Sequence, residues 1–224
     1  MNPERICYGC FQDKEPGLIC PHCGFDQQEE QPYLALPLGT LLNGRYMLGK
    51  VLGIGGFGIT YLGYDLTLEI KVAVKEYMPS SVATRHADRY SVTLTGRVEA
   101  EYQYGMERFL EEAKILAKLQ NTPNIVSVQN YFKENNTAYF VMDYIDGMSL
   151  KAYLKSQGKK YPLPRHLPFF SRSWRHWCRC MDSTSSIGTS ARTIFISPPG
   201  AKAGCWILAP QGPRWEMEKA CRSF

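Results

Sequence analysis

The chain has 224 residues, 44% of them hydrophobic, and a formal net charge of +5, which suffices for one ordinary domain with a small appendage. No run approaches the roughly 18 apolar residues needed to cross a bilayer, and the start lacks the basic-then-apolar layout of a secretion signal, so a cytoplasmic protein without a membrane segment is expected. The positive charge does not argue for nucleic acid: residues 1–164 carry 17 Lys and Arg against 18 Asp and Glu, while residues 165–224 carry 9 against 3. All four Trp and four of the eight Cys also lie beyond residue 164, so the two parts are read separately.

In chain order, Cys7, Cys10, Cys20 and Cys23 come first, as C-x2-C-x9-C-x2-C. Paired thiolates at this spacing can close a tetrahedral site around Zn²⁺. Disulfides or free thiols are the competing readings, and disulfides are disfavoured without a secretion signal. His22 lies between two better ligands and is expected to be a bystander. A segment this short buries little core, so the metal would supply most of its folding energy. Four thiolates leave no open position for substrate, so the module is expected to be structural or to dock a partner. Residues 1–27 are taken as this zinc-ribbon-like module and residues 28–44 as a polar, then Pro- and Leu-containing, linker.

Gly53, Gly55 and Gly58 next give G-x-G-x-x-G, with Gly56 and Phe57 between them, a pattern shared by two nucleotide-binding folds. A dinucleotide site would open a helix here. Instead Ile59-Thr60-Tyr61 starts a strand-like alternation, and Val72-Ala73-Val74-Lys75 follows, with Ala73 and Lys75 on one face. A polar excursion from Met78 to about Val98 holds one short strand over residues 91–96. Helical periodicity then runs from Met106 to Gln120, with Phe109, Ala113, Leu116 and Leu119 as the apolar stripe. Glu111 and Glu112 both lie near its edge. Asn121 to Val126 breaks the helix, the Asn135-Asn136 turn separates two strands, and the second, from Ala138 to Tyr144, leads into Ile145-Asp146-Gly147. Ser149 could cap a following helix.

These pieces resemble the N-terminal lobe and hinge of a bacterial serine/threonine protein kinase: the glycine loop, Val-Ala-Val-Lys-Glu-Tyr, the Glu-Ala helix, Pro-Asn-Ile-Val and Met-Asp-Tyr. The resemblance implies an α+β fold, a five-stranded antiparallel sheet plus one helix over residues 45–163, preceded by the zinc ribbon. It implies ATP as cofactor, with Mg²⁺, and transfer of the γ-phosphoryl group to Ser or Thr of a protein substrate. Gly53, Gly55, Gly56, Phe57 and Gly58 would cover the phosphates, and Thr60, where Val is usual, would lie over the adenine beside Ala73. Lys75 would reach the α and β phosphates, held by Glu112, which the Glu-Ala order favours over Glu111. Met142 would be the gatekeeper, the backbones of Asp143 and Ile145 would bond the adenine, and Asp146 would lie near the ribose.

The catalytic His-Arg-Asp, its downstream Asn and Asp-Phe-Gly, which orient the acceptor and hold Mg²⁺, do not occur in the chain. The shifted codon register after Pro164 permits Glu-Ala-Leu from Arg165, His-Arg-Asp-Ile-Ser-Pro-Asp-Asn across Ile187 to Ile194, and Leu-Asp-Phe-Gly across Trp206 to Ala209. Residues 164–224 are therefore expected to be an out-of-frame tail without a native fold, and the kinase to be truncated and inactive. The alternative is a non-catalytic pseudokinase fragment that binds ATP or a partner and docks through its zinc module. A nucleic-acid role for the Trp174 to Cys180 segment is disfavoured, because basic and aromatic residues bind only from an organised surface.

Overall fold

The computed structural model describes residues 5–15, 17–120, 126–149, 194–196 and 205–207. It falls into two units, residues 1–114 with 128–144, and residues 115–127 with 145–224.

The first unit is built on a six-stranded antiparallel sheet: β1 (Leu41–Leu42), β2 (Tyr46–Gly55), β3 (Gly58–Asp65), β4 (Ile70–Tyr77), β8 (Thr137–Asp143) and β7 (Val128–Glu134), in that spatial order. The five long strands are those of the expected lobe, and the two-residue β1 extends its edge beside β2. β4 and β8 are central and carry the apolar runs Val72-Ala73-Val74 and Ala138 to Met142, all buried. Hairpin chemistry fixes the registers. Asn135 and Asn136 both adopt positive φ (54° and 60°), the conformation a two-residue turn needs to match strand twist and one that Asn tolerates. At the β3–β4 turn, Asp65 accepts hydrogen bonds from the N–H groups of Thr67 and Leu68 at 2.9 and 3.1 Å.

Helix α1 spans Glu99–Lys118, beginning seven residues before the start that periodicity suggested, since Met106 was taken as its first residue. Gly105 lies inside the helix at a close contact: a Cβ there would lie 2.1 Å from the Tyr77 hydroxyl. The helix buries Tyr102, Met106, Phe109, Ala113 and Leu116, a stripe at i, i+4, i+7 spacing. Tyr77 packs on Tyr102 and Phe109 at centroid distances of 5.2 and 5.6 Å, and Phe109 on Phe140 at 4.9 Å.

Within the polar excursion, β5 (Ala83–Arg85) and β6 (Val92–Leu94) form a two-stranded hairpin. It delivers Arg85 to Glu76 in the core, with N···O distances of 2.8 Å to each carboxylate oxygen. Arg85 also donates to the carbonyls of Leu34 and Tyr90, and the Tyr61 and Tyr139 hydroxyls donate to Glu76 at 2.6 and 2.9 Å. Residues 34–42, read as linker, take part in this packing: Leu36 is buried and donates its N–H to the Tyr61 hydroxyl at 3.1 Å, and Leu42 is fully buried.

In the second unit, β9 (Met148–Ser149), β10 (Ile194–Ile196) and β11 (Cys205–Ile207) form a three-stranded antiparallel sheet, with β10 in the middle. The segment expected to be helical after Ser149, the Trp174 to Cys180 segment and the rest of the tail lie outside the described residues.

Candidate functional site: a glycine turn, a lysine and a cysteine cluster

β2 and β3 close on each other through the pairs Gly53↔Thr60, Ile54↔Ile59 and Gly55↔Gly58, with Gly56 and Phe57 at the tip. Phe57 is 51% exposed, and its carbonyl accepts the Met78 N–H at 3.0 Å. The glycines are not equivalent. A Cβ on Gly58 would sit 2.1 Å from the Glu76 carbonyl, so the approach of β4 demands glycine there. Gly53 and Gly56 would meet nothing within 4 Å, and Gly55 only the Gly58 carbonyl at 3.9 Å. None of these three has positive φ, so nothing among the described residues accounts for their missing side chains. Glycine is the residue that lets another group come close to a backbone.

Thr60 pairs with Lys75 across β3 and β4, and Ala73 pairs with Met142 across β4 and β8. Lys75 Nζ lies 3.0 Å from Glu112 Oε1, each side chain being 13% exposed. Its ammonium also sits 5.5 and 5.1 Å from the ring centroids of Phe109 and Phe140, a setting that favours a cation. Glu111 points elsewhere and pairs with Arg108 at 2.8 Å. Met142 is buried, and Asp143 is half-buried and accepts from Gln129 Nε2 at 2.7 Å. Ile145 and Asp146 belong to the second unit, whereas the other expected positions, from Gly53 to Asp143, belong to the first.

The four N-terminal thiols converge: every pair of Sγ atoms lies within 4.8 Å. Cys7 and Cys23 are 3.7 Å apart, Cys10 and Cys20 3.8 Å. Tetrahedral zinc with bonds of about 2.3 Å has sulfur–sulfur edges of about 3.8 Å, so the donor set fits that ion. Each knuckle is a tight turn, with Phe11 N–H donating to the Cys7 carbonyl, Gly24 N–H to that of Cys20, and Gly9 N–H to Cys7 Sγ at 3.3 Å. Burial pushes the Cys7 thiol up to about 12 and raises Cys10 as well. Burial acts the same way on Cys20, yet the backbone N–H groups of His22 and Cys23 and the neighbouring thiols bring it down to about 6. For all four to ionise together this close, a cation would have to compensate them. Among the described residues this is the one cluster of three or more such groups able to hold a metal, and thiols suit zinc rather than magnesium, which takes oxygen.

Sequence reasoning missed the Glu76–Arg85 network. Its one signal was Glu76 itself, a charge on the face opposite Lys75 in a strand that otherwise reads as buried.

Residues 46–173 match the protein kinase domain family. The chain belongs to that family. It is 31% identical over 125 residues to the serine/threonine-protein kinase PrkC of Bacillus subtilis, an overlap covering 56% of this chain and 16% of that protein. It is 33% identical over 123 residues to the serine/threonine-protein kinase PknD of Chlamydia pneumoniae, covering 55% of this chain and 11% of the relative. A solved structure titled PpkA-294 apo form superposes with a TM-score of 0.66 at 28% identity, covering 85% of this chain and 66% of that one. The chain thus spans under a fifth of the length of these two curated relatives. No helix among the described residues is long and apolar enough to cross a membrane.

Proposed function

We propose that this chain is the nucleotide-gripping half of a serine/threonine protein kinase, carrying a structural zinc in its N-terminal cysteine cluster. The observation that carries the first part is the set of three glycines, 53, 55 and 56, whose missing side chains no neighbouring atom requires, above a lysine held by a buried-edge carboxylate. Backbone N–H groups of the glycine turn would approach the phosphates, Lys75 would bond the α and β phosphates, and Glu112 would hold Lys75 in place. Thr60, Ala73 and Met142 would bound the adenine, the backbones of Asp143 and Ile145 would bond its edge, and Asp146 would lie by the ribose. ATP supplies the transferable phosphoryl group, and Mg²⁺ would accompany it. The residues that bind Mg²⁺ and orient the acceptor hydroxyl in the family have no counterpart in these 224 residues, so the chain by itself is proposed to bind nucleotide without transferring phosphate. The codon register after Pro164 accounts for that lack.

Three measurements test this. ATP should bind the purified chain, and Lys75→Ala should abolish binding while leaving the circular dichroism unchanged. A generic protein substrate should remain unlabelled under Mg-ATP; labelling refutes the inactive reading. Zinc should be found at one ion per chain.

The alternative reading, a non-catalytic fragment that docks a partner through the zinc module, is favoured by exposed Leu18 and Ile19 at the second knuckle. It is distinguished by a partner that is lost when those two residues become Ser while ATP binding persists.

A further inference from the structure

The first cysteine knuckle does not stand apart from the sheet. Ile6 and Phe11 form one buried cluster with Met47 of β2 and Leu62 of β3, and Tyr8, Tyr64 and Tyr144 pack against it. The Phe11 ring lies 5.3 Å from that of Tyr64. The knuckle also makes a main-chain bond to the lobe. β2 and β3 lose register between Leu48 and Val51, and at that irregularity the Lys50 N–H donates to the Tyr8 carbonyl at 2.9 Å. Gly49 makes room for this contact, since a Cβ there would lie 2.2 Å from the same carbonyl and 3.0 Å from the Phe11 ring. Tyr8 lies between Cys7 and Cys10, and Phe11 follows Cys10 directly with φ of 56°, a conformation a bulky side chain resists. The two groups that touch β2 are thus held by the two thiols of one knuckle, and β2 runs straight on into the glycine turn.

We infer that the zinc-loaded knuckle is a brace on the strand that carries the glycine turn, so that metal occupancy sets the order of residues 49–58 and, through it, nucleotide affinity. This rests on the zinc and nucleotide readings above. Zinc fixes the Cys7–Cys10 turn; the turn presents the Tyr8 carbonyl and Phe11 ring; these satisfy the unpaired stretch of β2. Without the metal, Lys50 N–H loses its acceptor, the strand samples unbraced states, and apparent affinity falls by the fraction that remain competent. Tyr8 and Phe11 are positioning residues: neither is a zinc ligand, and neither lies on the nucleotide strands.

The test uses the full chain, zinc-loaded and chelator-stripped, with three readouts: zinc per chain, amide hydrogen exchange of Lys50 and residues 51–58, and binding of a fluorescent ATP analogue. Loading is expected to slow exchange at Lys50 and tighten the analogue by on the order of tenfold, as follows if about a tenth of stripped molecules stay braced. Gly49→Ala, and independently Phe11→Ala, should keep one zinc per chain yet exchange and bind like the stripped protein. Equal exchange in loaded and stripped chains overturns the brace even where zinc binds. Failure to take up zinc removes the metal reading and the brace with it. Zinc-dependent protection of Lys50 without analogue binding in either form upholds the brace and refutes the nucleotide reading instead.

Discussion

Replacing Arg85 by Met probes the interaction that joins the β5–β6 hairpin, the segment before β1 and the sheet. The side chain of Glu76 is 0% exposed and that of Arg85 2%, with both carboxylate oxygens engaged by the guanidinium. Arg85→Met leaves the carboxylate in that site with only the Tyr61 and Tyr139 hydroxyls as donors. It also leaves the Leu34 carbonyl without its guanidinium partner. Removing one member of a buried pair costs about 3–5 kcal/mol because the other charge stays behind uncompensated, a large share of the roughly 5–15 kcal/mol that holds a domain together. At a urea slope of roughly 1–3 kcal/mol per molar, the unfolding midpoint should fall by more than about 1 M. Far-UV circular dichroism is the suitable signal, since residues 1–164 contain no Trp. Adding Glu76→Met to Arg85→Met should recover part of the loss, because it removes the uncompensated charge, while both tyrosine hydroxyls still accept from Leu36 N–H and Asn135 Nδ2. Strictly additive single substitutions, or an Arg85→Met cost below about 0.5 kcal/mol, would refute the view that Glu76 is a buried charge dependent on Arg85.

Acid should unfold the lobe in part through Asp65. The Arg45 guanidinium, bonded to it at 2.8 and 2.6 Å, holds its carboxyl below the ordinary value, helped by the Thr67 and Leu68 N–H groups. A depressed native pKa stabilises above the unfolded-state value of about 3.9 and is lost as pH falls through the lower native value; Asp65→Asn should flatten the stability–pH curve below about pH 4. Gly105→Ala, which would raise helix propensity by about 1 kcal/mol, should instead destabilise, since the methyl group meets Tyr77 Oη; a higher melting temperature would contradict the packing described. Cys20→Ser should lower zinc content well below one per chain and leave the far-UV signal of the sheet largely intact, as measured by metal analysis and circular dichroism.

Much of the lobe was legible because local chemistry and tertiary demand agree there. The Asn135-Asn136 turn, the Val72-Ala73-Val74 run and the C-x2-C pairs each prescribe a geometry that the fold uses. Periodicity placed the helix start at Met106 and missed the turns from Glu99; the fit of Gly105 against Tyr77 from a strand is information absent from any window around it. The β5–β6 hairpin was half visible: Val92 to Leu94 alternates, whereas Ala83–Arg85 reads as part of a polar loop, and its purpose appears only when Glu76 is seen to need a cation. The knuckle's contact with β2 was invisible for a similar reason, as the irregularity at Gly49 and Lys50 is a property of two strands in register. The choice of Glu112 over Glu111 as the partner of Lys75 came from the Glu-Ala order of the family pattern, and Glu112 is the carboxylate beside Lys75.

The emptiness around Gly53, Gly55 and Gly56 sets resilience of the empty lobe against usefulness. Alanine at any of the three would collide with nothing among the described residues and would cut the freedom of the unfolded state, a gain of roughly 0.4–1 kcal/mol. A screen that selected variants only for heat tolerance would therefore accept these methyl groups, and on the proposed reading would fill the space kept for a triphosphate.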